Sequence, residues 1–307
     1  MVNLTTKVCG RVFKNPLVLT SGILGTKAEL LARVSRAGAA AVTTKSCSLK
    51  PRKGHENPTV LAWKHGLINA VGLTNPGVEE EVKEIKKLRK LISPEIKIIA
   101  SFFGETKEEF IKVAEKLCLA KPDFLEMNIS CPNTESELGL PIAYSSAETY
   151  KLTKLVKKRI NIPLIVKLSP NVSNIKKIAK AAEEGGADVI SAINTPTGMV
   201  IDTDAAKPIL SNKIGGVSGP AIKPIAVRCI YEIFQTVKIP IIGIGGISYG
   251  RDAVEMFMAG ASLVGIGSAI FYRGLNIFKK IEKEIKDFMR SNNYKILTSL
   301  RGIAHEN

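Results

Sequence analysis

Asp123-Phe124-Leu125-Glu126-Met127-Asn128-Ile129-Ser130-Cys131-Pro132-Asn133 is an apolar strand that runs out into a loop. The first seven residues read as the strand, and Pro132, Asn133, Thr134 and Ser136 mark the break into irregular structure. Two amides and a thiol therefore stand at a strand end, where parallel α/β folds carry their chemistry.

Similar short apolar runs recur on both sides of this segment. They begin near Leu17, Ala41, Ile96, Phe124, Leu164, Val189, Ile239 and Leu263. Longer stretches lie between them (residues 79–91, 107–119, 147–159, 174–184 and 221–237), with apolar residues returning every three or four positions. Eight strands alternating with helices predict an eight-stranded parallel (β/α)8 TIM barrel, read here as one domain over residues 1–307. The connections 132–145 and 195–219 are too long for simple turns. They are expected to be active-site loops, leaving strands 4 and 6 to cover the mouth.

A chain of 307 residues with 45% hydrophobic content can bury a full core. No run approaches the roughly 18 apolar residues of a membrane helix, and the first residues lack a signal-peptide core, so a cytoplasmic protein is expected. The five cysteines form no C-x-x-C pair and the three histidines show no ligand spacing, so no metal or cluster is expected on this chain. His305 lies near a terminus expected to be mobile. The net charge of +16 raises a basic nucleic-acid-binding scaffold as an alternative. However, the lysines of residues 83–90 alternate with apolar positions, as on a solvated helix face, and no aromatic-interleaved basic motif appears.

Strand seven ends in Gly243-Ile244-Gly245-Gly246-Ile247 and strand eight in Gly265-Ile266-Gly267-Ser268. Glycines at this pair of loops let bare N–H groups approach a phosphate, although each could also make only a tight turn. No G-x-G-x-x-G fingerprint follows the first strand, so a mononucleotide such as FMN fits better than a dinucleotide. Lys45 and Lys167 stand at other strand ends. A lysine in an apolar run is costly to bury without an anion, which points to a charged ligand or, for Lys167, to a structural ion pair. Asn69, Asn128, Asn133 and Asn194 also end apolar segments; together they suit a small ring of alternating donors and acceptors, though singly each could cap a turn. Cys131, between two of them, is a candidate base, although the thiol alone also allows a nucleophile, a redox thiol or an inert buried cysteine. The other four cysteines read as buried and inert.

In this order the motifs resemble the class 1 dihydroorotate dehydrogenases, FMN-containing barrels of pyrimidine biosynthesis. The resemblance runs from Asn15-Pro16 and Ser21-Gly22 through Thr44-Lys45-Ser46, Asn69-Ala70-Val71-Gly72-Leu73, Asn128 to Asn133, Lys167-Leu168-Ser169-Pro170, Asn194-Thr195 and Gly215 to Ala221, to Gly245-Gly246 and Gly267-Ser268. It implies that Cys131 takes a proton from C5 of dihydroorotate while hydride passes from C6 to FMN. It also implies that Lys45, Asn69, Val71, Gly72, Leu73, Asn128, Asn133, Asn194 and Thr195 hold the substrate. FMN would be held by Ser21, Lys45, Ser46, Asn128, Lys167, Ile193, Gly219, Gly245, Gly246, Gly267 and Ser268. One departure is Ser101, where relatives often carry asparagine near the flavin.

Within class 1, the segments Asn69 to Gly77 and Lys207 to Gly216 resemble the 1B catalytic subunit. That resemblance implies a homodimeric core within a heterotetramer, whose separate FAD and [2Fe-2S] subunit reduces NAD. The alternatives are a 1A-type homodimer using fumarate and a related flavin barrel acting on uracil-like rings.

Overall fold

The computed structural model describes residues 2–129 and 144–306. Eight parallel strands close on themselves in chain order: β1 (Leu17–Leu19), β2 (Ala41–Thr43), β3 (Lys97–Phe102), β4 (Phe124–Asn128), β5 (Leu164–Leu168), β6 (Val189–Ala192), β7 (Ile241–Ile244) and β8 (Leu263–Ile266). The eight runs read from periodicity are these strands. Outside them pack α1 (Ala28–Arg36), α2 (Val78–Leu91), α3 (Lys107–Cys118), α4 (Ser146–Lys157), α5 (Ile175–Glu184), α6 (Lys223–Phe234), α7 (Gly250–Met258), α8 (Ala269–Arg273) and α9 (Ile277–Ser291). Thr106, Ser145 and Asn174 start α3, α4 and α5 by accepting the N–H three residues on, which satisfies donors the helix leaves unpaired.

Strand alternation divides the core in two. Leu125 and Met127 of β4 face the helix layer, together with Ile98, Val166, Ile190 and Val264 from other strands. Phe124 faces inward and forms an apolar floor with Val18, Ile99, Ile165, Val189, Ile242 and Leu263. A hairpin of Thr6–Val8 and Arg11–Phe13 adds Val8 and Phe13 to that floor, the Phe13 and Phe124 rings lying 5.9 Å apart. Two residues further along the strands, the inward positions turn polar. Ser101 pairs in register with Glu126, and Lys167 pairs with both Asn128 and Ser191.

The connection 195–219 is not a bare loop. It contains Thr197–Met199, Ile201–Asp202, Lys207–Pro208 and Ile214–Ser218. The first and last of these pair antiparallel, and Ile214–Ser218 also pairs with Gly66–Asn69, which pairs with Val60–Trp63. Gly215 explains why the pattern misled: a Cβ there would stand 2.7 Å from Asn69 O, so the strand needs the residue that otherwise signals a turn. The loop expected over 132–145 falls mostly outside the described residues. His305 does not sit on a loose end: its ring stacks on Tyr231 with centroids 3.8 Å apart, and its Nε2 lies 3.1 Å from Ala259 O.

Candidate active site

A cavity of about 290 Å³ opens at the carboxyl ends of the barrel strands. Among the described residues, every position proposed for substrate or cofactor lines it. Ser21, Lys45 and Ser46 come from the loops after β1 and β2. Asn69, Val71, Gly72 and Leu73 come from the insertion before α2, and Asn128 and Lys167 from β4 and β5. Ile193, Asn194, Thr195 and Gly219 follow β6, and Gly245, Gly246, Gly267 and Ser268 follow β7 and β8. The three described asparagines thus converge from distant segments. Cys131 and Asn133 lie outside the described residues.

At one side, Gly245 and Gly246 adopt φ of 130° and 74°, conformations that favour glycine. Among the described residues, the N–H groups of Gly246, Gly267 and Ser268 have no protein acceptor. Three bare donors around one end of a cavity suit the oxygens of a phosphate.

At the base, Lys167 is only 6% exposed, and its Nζ lies 3.8 Å from Glu126 Oε1. The ion pair considered for Lys167 therefore exists, alongside a place in the cavity lining. At 3.8 Å it is a charge pairing without a hydrogen bond. Among the described residues the ammonium donates no hydrogen bond at all, so its protons remain for a ligand. Glu126 itself is well held: Ser101 Oγ donates to Oε1 and Ser191 Oγ to Oε2, both at 3.1 Å. From Ser101 a line of hydroxyls rises to the cavity through Ser46 at 2.8 Å and Ser21 a further 3.2 Å on. Ser101 is fully buried and does not itself line the cavity.

Sequence reasoning missed Glu126, although it lies in the same strand as Asn128. The signal was its spacing, two residues before Asn128 and so on the same inward face. Leu67, Gly216 and Ser218 line the cavity from the antiparallel sheet; Gly216 and Ser218 were missed because 195–219 was read as loop, and Leu67 because its strand pairs with that segment.

Cys47 and Cys229 are buried as expected, but Cys9 and Cys118 are only half-buried. Burial is the leading cause that pushes all four thiols up, which removes them as bases near neutral pH. No group of three or more metal-ligating side chains occurs among the described residues. No helix there is long and apolar enough to cross a membrane. Lysines of α2 meet carboxylates, Lys83 with Glu80 and Lys87 with Glu29, as on a solvated helix face.

A parallel barrel whose mouth combines bare glycine amides, a buried lysine and converging amides has the architecture of a β/α-barrel enzyme. The sequence profile described as dihydroorotate dehydrogenase matches residues 3–289, and the chain belongs to that family. It is 46% identical over 304 residues to "dihydroorotate dehydrogenase B (NAD(+)), catalytic subunit" of Methanocaldococcus jannaschii, covering 99% of this chain and 98% of the relative. The proteins of the same name from Pyrococcus abyssi (45%; 98% and 99% covered) and Methanothermobacter thermautotrophicus (42%; 99% of each) are also similar to it.

Proposed function

We propose that this chain oxidises dihydroorotate to orotate in pyrimidine (UMP) biosynthesis, holding FMN in the mouth cavity. Electrons then pass to NAD through a separate FAD and [2Fe-2S] subunit. The observation that carries this reading is the buried Lys167 ammonium, paired in charge with Glu126 yet left with its protons for a ligand. The residues present fit FMN at both ends. Lys167 suits the N1 and C2=O edge of the ring, and the free amides of Gly246, Gly267 and Ser268 suit the phosphate.

When bound, FMN supplies a hydride acceptor for C6 of the substrate. The protein's own part is positioning and proton transfer. Asn69, Asn128, Asn194 and Thr195 orient the substrate ring, with Asn133 contributing from outside the described residues. Lys45 meets the carboxylate. Cys131, also outside the described residues, removes the C5 proton. The sheet formed by residues 60–69 and 214–218 flanks the cavity and limits water there. The names of the relatives, which specify NAD and a catalytic subunit, support the partner.

Anaerobic mixing of the flavin-loaded chain with substrate tests the assignment. Dihydroorotate should bleach the flavin rapidly, and Cys131→Ala should slow that step roughly 10²-fold while FMN stays bound. Dihydrouracil should be a poor reductant. Near-normal bleaching in the variant removes Cys131 as the base, and equal bleaching by dihydrouracil returns the chain to the uracil-type reading.

A further inference from the structure

Barrel interiors are normally filled by branched apolar side chains. Here the layer beneath the cavity holds a carboxylate instead. Glu126 is 3% exposed and has three partners on three other strands: Ser101 on β3, Lys167 on β5 and Ser191 on β6. Burying a carboxylate and an ammonium together is expensive, and an apolar pair of similar volume would be as stable or more so. Stability therefore does not explain the pair, whereas its position directly below the cavity does.

We propose that Glu126 is a positioning residue for Lys167: it fixes the ammonium at the cavity base and offsets part of its charge there. The proposal rests on the FMN reading above. The two serines clamp both carboxylate oxygens, so the carboxylate cannot swing up to capture the ammonium at hydrogen-bond distance. The 3.8 Å gap is maintained from below. The lysine is thus steered by charge while its N–H groups stay directed at the ligand. Because a reduced flavin ring carries negative charge near N1, the full lysine charge would favour reduction. With Glu126 beneath it, that preference is moderated, which keeps the bound flavin able to release its electrons.

The test is the midpoint potential of bound FMN, measured by equilibrium titration against reference dyes, together with the visible flavin spectrum. Glu126→Gln preserves shape and can still bond both serines. It should favour the reduced flavin roughly tenfold, an upward shift of about 30 mV for a two-electron couple, and should alter the flavin absorption band. In a Lys167→Met background the same substitution should move the potential much less, because its partner is gone. An unchanged or lowered potential in Glu126→Gln, or an equal shift in both backgrounds, overturns the inference while leaving the FMN reading intact. A wild-type protein that binds no FMN overturns both. Should Glu126→Gln be too unstable to purify, the Lys167→Met/Glu126→Gln double variant must melt above the Lys167→Met single variant. A double variant melting no higher also overturns the inference.

Discussion

Gly246 stands against Lys223 with no room for a side chain: a Cβ on the glycine would lie 2.6 Å from the lysine Cβ and 2.8 Å from its Cα. Lys223 cannot easily yield, since its ammonium is held by Asp252 at 2.9 Å and Glu255 at 2.8 Å. The turn that presents the bare amides is therefore wedged against the start of α6.

Gly246→Ala should combine that overlap with a strained φ, costing about 1–3 kcal/mol of stability. Moving the amides should also weaken FMN binding roughly tenfold or more. Thermal denaturation and fluorescence titration of the apoprotein with FMN check the two effects separately.

Arg52 ties down the segment that carries Val71, Gly72 and Leu73. Its Nε donates to Gly72 O at 3.1 Å, its backbone pairs with Asn75, and its guanidinium meets Glu105 at 2.6 Å. Arg52→Ala should raise KM for dihydroorotate on the order of tenfold, since hydrogen bonds to charged donors contribute about 1.5–3 kcal/mol. The melting temperature should fall by about a few degrees. Steady-state kinetics beside a melting curve decide it: an unchanged KM means that the segment does not depend on this tether.

Glu81 of α2 is buried with Oε2 unpartnered, and burial pushes its carboxyl up to about 8. Its folded form therefore holds a proton that the unfolded chain releases near pH 4.5. Stability from this group is complete below that pH and declines as pH rises toward 8, at up to roughly 1.4 kcal/mol per pH unit. Urea midpoints from pH 5 to 9 should fall in the wild type, and Glu81→Gln should flatten the slope. Parallel slopes in the two proteins count against this account.

His305→Ala should remove a stacked ring from Tyr231 and a partner from Ala259 O, lowering stability by about 1–2 kcal/mol. None of these residues lines the cavity, so kcat should hold. Differential calorimetry and a turnover assay make the comparison.

The barrel was legible because its strands are continuous apolar runs separated by amphipathic helices, and strand-end residues such as Lys45, Asn128 and Gly246 could be placed from that frame alone. Glu126 was not, because its partners Ser101, Lys167 and Ser191 lie on three other strands, and only the closed barrel brings them to the inward face that its spacing from Asn128 marks. The antiparallel sheet was hidden for a different reason. Its strands are short, rich in glycine and contributed by two insertions far apart in the chain, so no local window contains the pairing that creates them.

That pairing sets an order of assembly. Asn69 and Gly216 are 147 positions apart, and β1 to β6 are complete by Ala192. A nascent chain that has emerged only that far has the strand residues Asn128 and Lys167 in hand but lacks the strand that closes the side of the cavity. The binding chamber is thus a late product of synthesis, and a truncated chain ending before residue 214 would carry Lys45, Asn128 and Lys167 but neither the strand that flanks them nor the glycine turns after β7 and β8.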